Sequence, residues 1–233
     1  MMAILFAVET AKELGAKSVG LVAPYLSYMR QDKRFKPGEA LTSNYFASLM
    51  SNYFDWMVTI DPHLHRHHSL DEIYSIPTTV VHAAPAISKW IMKNIEKPLV
   101  IGPDMESEQW VSQVAKDANA PFLVLEKVRR GDRDVEVSHP DIEKYKNHTP
   151  VLVDDIISTA RTMMETVKHI VKAKMKAPVC IGVHAIFSGD AYEALEATGT
   201  ERIVSCNTII HKSNEIDLSE IMVKAINEIE KAR

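Results

Sequence analysis

An α/β fold built on mostly parallel sheets is what this sequence predicts, and three observations predict it. Short apolar runs rich in β-branched residues recur along the chain. Amphipathic stretches of helical period separate them. The runs are almost continuously apolar instead of alternating, which is the pattern of strands covered on both faces. Strand, helix, strand repetition of this kind builds βαβ units, and in their sheets ligands bind beyond the carboxyl ends of the strands.

The elements follow in order. Ala3–Leu14 reads as an amphipathic helix leading into a strand, so the chain is expected to open in the middle of a βαβ unit. Strands are predicted at Ser18–Ala23, Trp56–Ile60, Thr78–His82, Leu99–Gly102, Phe122–Glu126, Val151–Val153, Val179–Ile186 and Arg202–Cys206. Pro24 stops the first, and Asp61-Pro62 stops the second. Helices are predicted at Glu39–Tyr53, where Leu41, Tyr45, Leu49 and Tyr53 share one side, and at Pro85–Asn94, Glu106–Ala118, Met163–Ala173, Ala191–Thr198 and Leu218–Lys231. The charged run Lys127–Glu136 reads as a mobile loop, and the polar stretch Lys144–Pro150 as a possible division of the chain.

Composition narrows the function classes. The chain has 233 residues, enough for a sizeable core, with 46% hydrophobic and 25% charged residues. Its 27 Lys and Arg against 31 Asp and Glu give a net charge of -4, which argues against a general nucleic-acid binder. Two cysteines, Cys180 and Cys206, make no disulfide framework and fit a reducing cytoplasm. No apolar run approaches the roughly 20 residues that span a bilayer, and Met1–Val8 lacks the basic flank of a signal peptide. The expectation is a cytoplasmic protein with neither nucleic acid nor membrane as partner.

The sharpest chemical signal is VLVDDIISTART, Val151–Thr162. An apolar strand ends in two carboxylates, Asp154 and Asp155, and a hydroxyl-rich turn leads into a helix. Ser158, Thr159 and Thr162, with backbone N–H groups at a helix N-terminus, form an anion pocket. Carboxylates beside it suit ribose hydroxyls or a hydrated Mg²⁺. The plain alternative is a polar turn with one Asp as helix cap.

Other polar segments follow strands in the same way. PYLSYMRQDKR, Pro24–Arg34, offers Arg30, Lys33 and Arg34 to phosphates. TIDPH, Thr59–His63, brings His63 to the end of another strand. His63, His65 and His67 have period-two spacing, which invites a transition metal, but ligands this close need a more distant partner. A solvated polar loop is the preferred reading of His65, His67 and His68. Asp104 follows the strand Leu99–Gly102 as ligand or helix cap. The Lys127–Glu136 run supplies cations able to cover reacting phosphates.

VLVDDIISTART resembles the phosphoribosyl diphosphate motif of type I phosphoribosyltransferase folds. PYLSYMRQDKR resembles the PYxxYxRQDRK stretch of ribose-phosphate pyrophosphokinases, TIDPH their T-V-D-L-H segment, and IGPDMESEQW (Ile101–Trp110) their SPDxG element. Leu125–Asp134 resembles their flexible catalytic loop, with Lys127 and Arg129 at its Lys and Arg positions. The departures are Pro62 for Leu, Glu106 and Ser107 for glycines, Ser158 for an Asp and Arg161 for a Gly. Together the five segments identify the chain, by resemblance, as a member of that family.

The resemblance implies two phosphoribosyltransferase-like type I domains with mostly parallel central sheets, the first one incomplete. The boundaries it suggests are 1–80 for the remainder of the N-terminal domain and 81–215 for the domain with the ribose-phosphate site. Residues 216–233 form a C-terminal helix packing back on the first. It implies transfer of the diphosphoryl group of ATP to ribose 5-phosphate, giving phosphoribosyl diphosphate and AMP. The implied roles are ATP binding by Arg30, Gln31, Asp32, Lys33 and His63, and Mg²⁺ binding by His63 and Asp104. Asp154, Asp155, Ser158, Thr159, Ala160, Arg161 and Thr162 would hold ribose 5-phosphate, with Lys127 and Arg129 catalytic. A homo-oligomer, dimer or hexamer, is implied too. The family carries further residues before the point where this chain opens, so a shortened member with weak or no activity is expected. The alternatives are a phosphoribosyltransferase, which leaves Pro24–Arg34 and Thr59–His63 unexplained, and a non-catalytic regulatory relative.

Overall fold

A computed structural model describes residues 1–34, 36–103, 107–130, 134–138 and 142–232, with the side chains of 109, 126–130, 134–138 and 143 outside that description. The chain divides into two compact units, Met1–His82 with Ser219–Arg233, and Ala83–Leu218.

The first unit holds α1 (Met2–Glu13), β1 (Gly20–Ala23), α2 (Thr42–Tyr53), β2 (Trp56–Ile60) and β3 (Thr78–Val81). Its three strands are parallel in the order β1-β2-β3. The central strand β2 is buried along all five residues, as its unbroken WMVTI run predicts. Leu5 and Val8 of α1, Ala47 and Met50 of α2, and Met57 of β2 form one core with Leu26 and Met29. Gly20 pairs in register with Trp56, and a Cβ there would run into the indole, so the close approach requires glycine. The C-terminal helix Ser219–Lys231 packs on β2 and β3. Because the strands are parallel and in register, Pro24, Asp61 and His82 all emerge at one edge of the sheet.

The second unit holds α3 (Ala84–Asn94), β4 (Pro98–Gly102), α4 (Glu108–Asp117), β5 (Phe122–Val124), β6 (Glu126–Arg130), β7 (Asp134–Ser138), β8 (Thr149–Ile157), α5 (Arg161–Lys172), β9 (Val179–Ala185), α6 (Ala191–Glu196), β10 (Arg202–Cys206) and β11 (Asn214–Ile216), after which the C-terminal helix is α7. Six parallel strands run in the order β11-β10-β9-β8-β4-β5. From β4 the chain moves outward to β5, then returns to β8 and proceeds the other way. The strand order therefore reverses between β4 and β8, and a crevice at their carboxyl ends is the expected ligand position. Met163, Thr166, Val167 and Ile170 put the buried stripe of α5 against Leu99, Leu152 and Ile157. Each such large side chain contributes roughly 1.5–3 kcal/mol by its burial. Both cysteines are buried, and neither forms a disulfide.

Four expectations are corrected. Strand β8 does not stop at Val153 but continues through Asp154 and Asp155 to Ile157, because β9 pairs with it as far as Ile157↔Ala185. Helix α5 starts at Arg161 rather than Met163, so Arg161 is its exposed first residue instead of part of the turn. The Lys127–Glu136 run is not a loop throughout: β6 and β7 pair antiparallel, with Lys127 opposite Val137 and Arg129 opposite Val135. The alternation of Val135 and Val137 with charged residues is a strand period that the charge density concealed. Lys144–Pro150 is no boundary, since it runs from a 3₁₀ turn, Ile142–Tyr145, into the start of β8, and β8 pairs with β4 across it.

Candidate active site

In the second unit the chain passes from β8 into α5 through Ser158, Thr159 and Ala160. Ala160 has φ +55°, a left-handed conformation that costs a non-glycine residue about 1–2 kcal/mol. Such strain persists where the surroundings impose it, and it concentrates at binding sites. Here it turns the chain sharply into the 12-residue helix α5. No side-chain hydrogen bond is made from its N-cap position and no acid lies in its first turn, so the positive end of the helix dipole is suited to an anion. Arg161 and Thr162 are the first two helical residues. Thr159 is exposed, and Ser158 is half-buried.

The two carboxylates are both half-buried. As consecutive strand residues they project to opposite faces of the sheet, so one ligand group does not receive both equally. Asp154 Oδ1 accepts the backbone N–H of Asp155 at 2.9 Å. Asp154 lies beside Gly182 in the register, and a Cβ on Gly182 would collide with Ile157. This glycine lets β8 and β9 stay paired up to the mouth of the turn.

One participant carries no local signal in the sequence. Ser188, just past β9, has its hydroxyl 3.0 Å from that of Ser158, and its N–H donates to the Ser158 carbonyl at 3.0 Å. Phe187 N–H and Ile186 N–H both donate to the Ile157 carbonyl. The end of β9 thus braces the turn between β8 and α5.

Asp104, predicted to follow β4, lies outside the described residues. Lys127 and Arg129 sit in β6, and their side chains lie outside them too.

In the first unit, Arg30, Gln31, Asp32 and Lys33 follow β1 in a turn where the Gln31 N–H donates to the Tyr28 carbonyl at 3.1 Å. Tyr28 has φ +68° and its ring packs 5.0 Å from that of Phe46. The Gln31 carbonyl accepts both the N–H and the hydroxyl of Ser43 at the start of α2. Arg30 and Lys33 are exposed and Gln31 half-buried. The Asp32 side chain, in contrast, is 1% exposed and takes Arg66 Nη1 at 2.7 and 2.9 Å on its two oxygens.

His63 follows β2 and is half-buried, its ring 5.8 Å from that of His65. Asp61, at φ +33°, accepts from His82 Nδ1 at 2.8 Å. That hydrogen bond from the imidazole raises the His82 pKa above its usual value. The polar loop after His63 is partly ordered by Glu72. One carboxylate oxygen meets His67 Nδ1 at 3.0 Å and the other accepts the His68 N–H at 3.1 Å. The hydrogen bond from His67 leads the causes that lower the Glu72 pKa. Among the described residues no three His, Cys, Asp or Glu side chains gather as a metal cage. No described helix is long and apolar enough to cross a membrane.

Comparison with known proteins adds five findings. Residues 69–220 match the family described as the phosphoribosyl transferase domain, and residues 1–53 the N-terminal domain of ribose phosphate pyrophosphokinase. The chain is 30% identical to the ribose-phosphate pyrophosphokinase of Methanobrevibacter smithii, over 98% of this chain and 80% of the relative. It is 28% identical to that of Sulfurisphaera tokodaii, over 94% and 75% respectively. The phosphoribosylpyrophosphate synthetase structure from Mycobacterium smegmatis superposes with a TM-score of 0.85 at 20% identity, over all of this chain and 78% of that one, a likeness of fold.

Proposed function

This chain belongs to the ribose-phosphate pyrophosphokinase family, and we propose that it transfers the diphosphoryl group of ATP to ribose 5-phosphate, giving phosphoribosyl diphosphate and AMP, with the division of labour that follows. The turn Ser158–Ala160 and the first residues of α5, Arg161 and Thr162, receive the 5-phosphate. The uncapped N-terminus of α5 beside a left-handed Ala160, at the point where the strand order reverses, is the observation that carries this assignment. Asp154 and Asp155 hold ribose hydroxyls. Their placement on opposite faces supports unequal shares, one carboxylate on the sugar and the other on its surroundings.

Arg30, Gln31 and Lys33 meet the nucleotide, with Asp32 in the same segment and His63 beyond β2. His63 and Asp104 are the Mg²⁺ ligands. One imidazole and one carboxylate suit an ion that arrives on polyphosphate, because Mg²⁺ keeps few protein ligands at such sites. When bound, the ion supplies charge neutralisation at the reacting phosphates. Lys127 and Arg129 of the β6–β7 hairpin supply further cations there.

The chemistry asked of the protein is mostly positioning and electrostatic. The anomeric hydroxyl of the sugar attacks the β-phosphorus of ATP, and the bond to the α-phosphate oxygen breaks as AMP leaves. Phosphate binding by the α5 turn fixes the sugar so that this hydroxyl is presented. A homo-oligomer, dimer or hexamer, and a cytoplasmic location complete the proposal.

The test is AMP release from ATP by the purified chain with Mg²⁺. Release that requires ribose 5-phosphate and falls sharply in Lys127→Ala supports the assignment. Release independent of the sugar, or unchanged in Lys127→Ala, contradicts it.

A further inference from the structure

The Asp32 carboxylate is buried to 1% exposure, and its two oxygens are bound to a single nitrogen of Arg66, 34 residues further along. A buried carboxylate needs such a partner, since an unpaired one carries a heavy desolvation cost. The Arg66 side chain is itself 38% exposed, so the pair adds little stability, but two contacts on one carboxylate fix its geometry. A carboxylate bound in this way has no reason to face a polyphosphate, which it would repel.

What the pair joins is informative. Asp32 lies between Gln31 and Lys33, in the segment assigned to the nucleotide. Arg66 lies three residues beyond His63, in the second such segment. Each segment has its own local anchor. Gln31 is held to Ser43 at the head of α2, and His67 and His68 are held by Glu72. Asp32 and Arg66 link the two anchored segments to one another.

We propose that Asp32 and Arg66 are a positioning pair, which sets the Arg30–Lys33 segment relative to the His63 segment and thereby shapes the nucleotide side of the site. Neither residue touches the reacting phosphates in this account. Asp32 acts through Arg66, and both act through their neighbours. The proposal rests on the assignment of these segments to ATP.

The experiment uses the full chain and the variants Asp32→Asn, Arg66→Met and the double variant, with Arg66→Lys as the conservative replacement. Binding of ADP with Mg²⁺ is measured by calorimetry, KM for ATP and for ribose 5-phosphate by AMP release, and folding by thermal melting. Each single variant is expected to weaken ADP binding and raise KM for ATP by about tenfold to a hundredfold, the scale of a misplaced binding group. KM for ribose 5-phosphate should stay within about twofold. The double variant should be no worse than the worse single, as for two residues serving one interaction. Arg66→Lys should recover part of the loss.

ADP binding unchanged in folded single variants overturns the pair while leaving the functional assignment intact. So do losses that add in the double variant. If Arg66→Met fails to fold, Arg66→Lys and Asp32→Asn carry the same comparison. An unmutated chain that binds no ADP overturns the pair together with the nucleotide assignment.

Discussion

The hydroxyls of Ser158 and Ser188 lie 3.0 Å apart although 30 residues separate them in sequence. Ser158 belongs to the turn proposed to receive the phosphate, and Ser188 to the loop after the neighbouring strand. The backbone N–H of Ser188 also donates to the Ser158 carbonyl, so the turn is held by main chain and side chain together. Ser188→Ala removes only the hydroxyl contact. A neutral hydrogen bond contributes about 0.5–1.5 kcal/mol, so KM for ribose 5-phosphate should rise roughly twofold to tenfold. KM for ATP should not move. Steady-state kinetics with each substrate varied in turn checks this.

Ala160 tests the turn itself. Its φ of +55° suits glycine and disfavours a branched side chain. Ala160→Gly should bind ribose 5-phosphate about as well as the unmutated chain. Ala160→Val should weaken it by at least about tenfold, because the turn must open to admit the branched Cβ. Calorimetric titration of the two variants with the sugar phosphate decides the point. Equal affinities would show that the left-handed turn is not required.

Strand contact behind the turn is tested at Gly182. A Cβ there would collide with Ile157, whose side chain is 2% exposed and has little room to yield. Gly182→Ala should destabilise by about 1–3 kcal/mol, the usual cost of overpacking. Ile157→Val in the same chain should recover part of it. Urea unfolding of the single and double variants measures both.

A pH dependence follows from His82 and Asp61. The hydrogen bond from His82 Nδ1 to Asp61 raises the folded-state pKa of the imidazole. The contribution of the pair is therefore fully present below the unfolded value of about 6.5, and is lost as pH rises through the folded value above it. The His82 side chain is 70% exposed, so the effect is a small one, screened by solvent. Melting of the unmutated chain and of His82→Ala should differ more near pH 5.5 than near pH 9. An advantage that grows with pH would reverse the sign and remove the pair as its cause.

How far the sequence was legible depended on the range of the interaction. Strands β2 and β10 are found with the bounds that their apolar runs predict, because both are flanked by polar or helix-breaking residues. Strand β8 is longer than its hydropathy indicates. Its neighbour β9 extends the hydrogen-bond ladder past both carboxylates to Ile157, whereas a reading by apolarity takes the carboxylates for the end. The turn Ser158–Ala160 between β8 and α5 was legible as a strand-to-helix turn because its parts are adjacent in sequence. Ser188, His82 and Arg66 were not, since their partners stand 30, 21 and 34 residues away and no spacing rule links them. Asp32 was legible as part of a charged segment but not as one whose side chain is buried. Its neighbours Arg30 and Lys33 are exposed, and only the fold separates the three.

The central claim is diphosphoryl transfer to the sugar, and label transfer tests it most directly. ATP labelled at the β-phosphate is incubated with the chain, Mg²⁺ and ribose 5-phosphate, and the products are separated. The account predicts that label leaves ATP for phosphoribosyl diphosphate, one molecule for each unlabelled AMP formed. Label recovered in ADP or in free diphosphate, with none on the sugar, would contradict it.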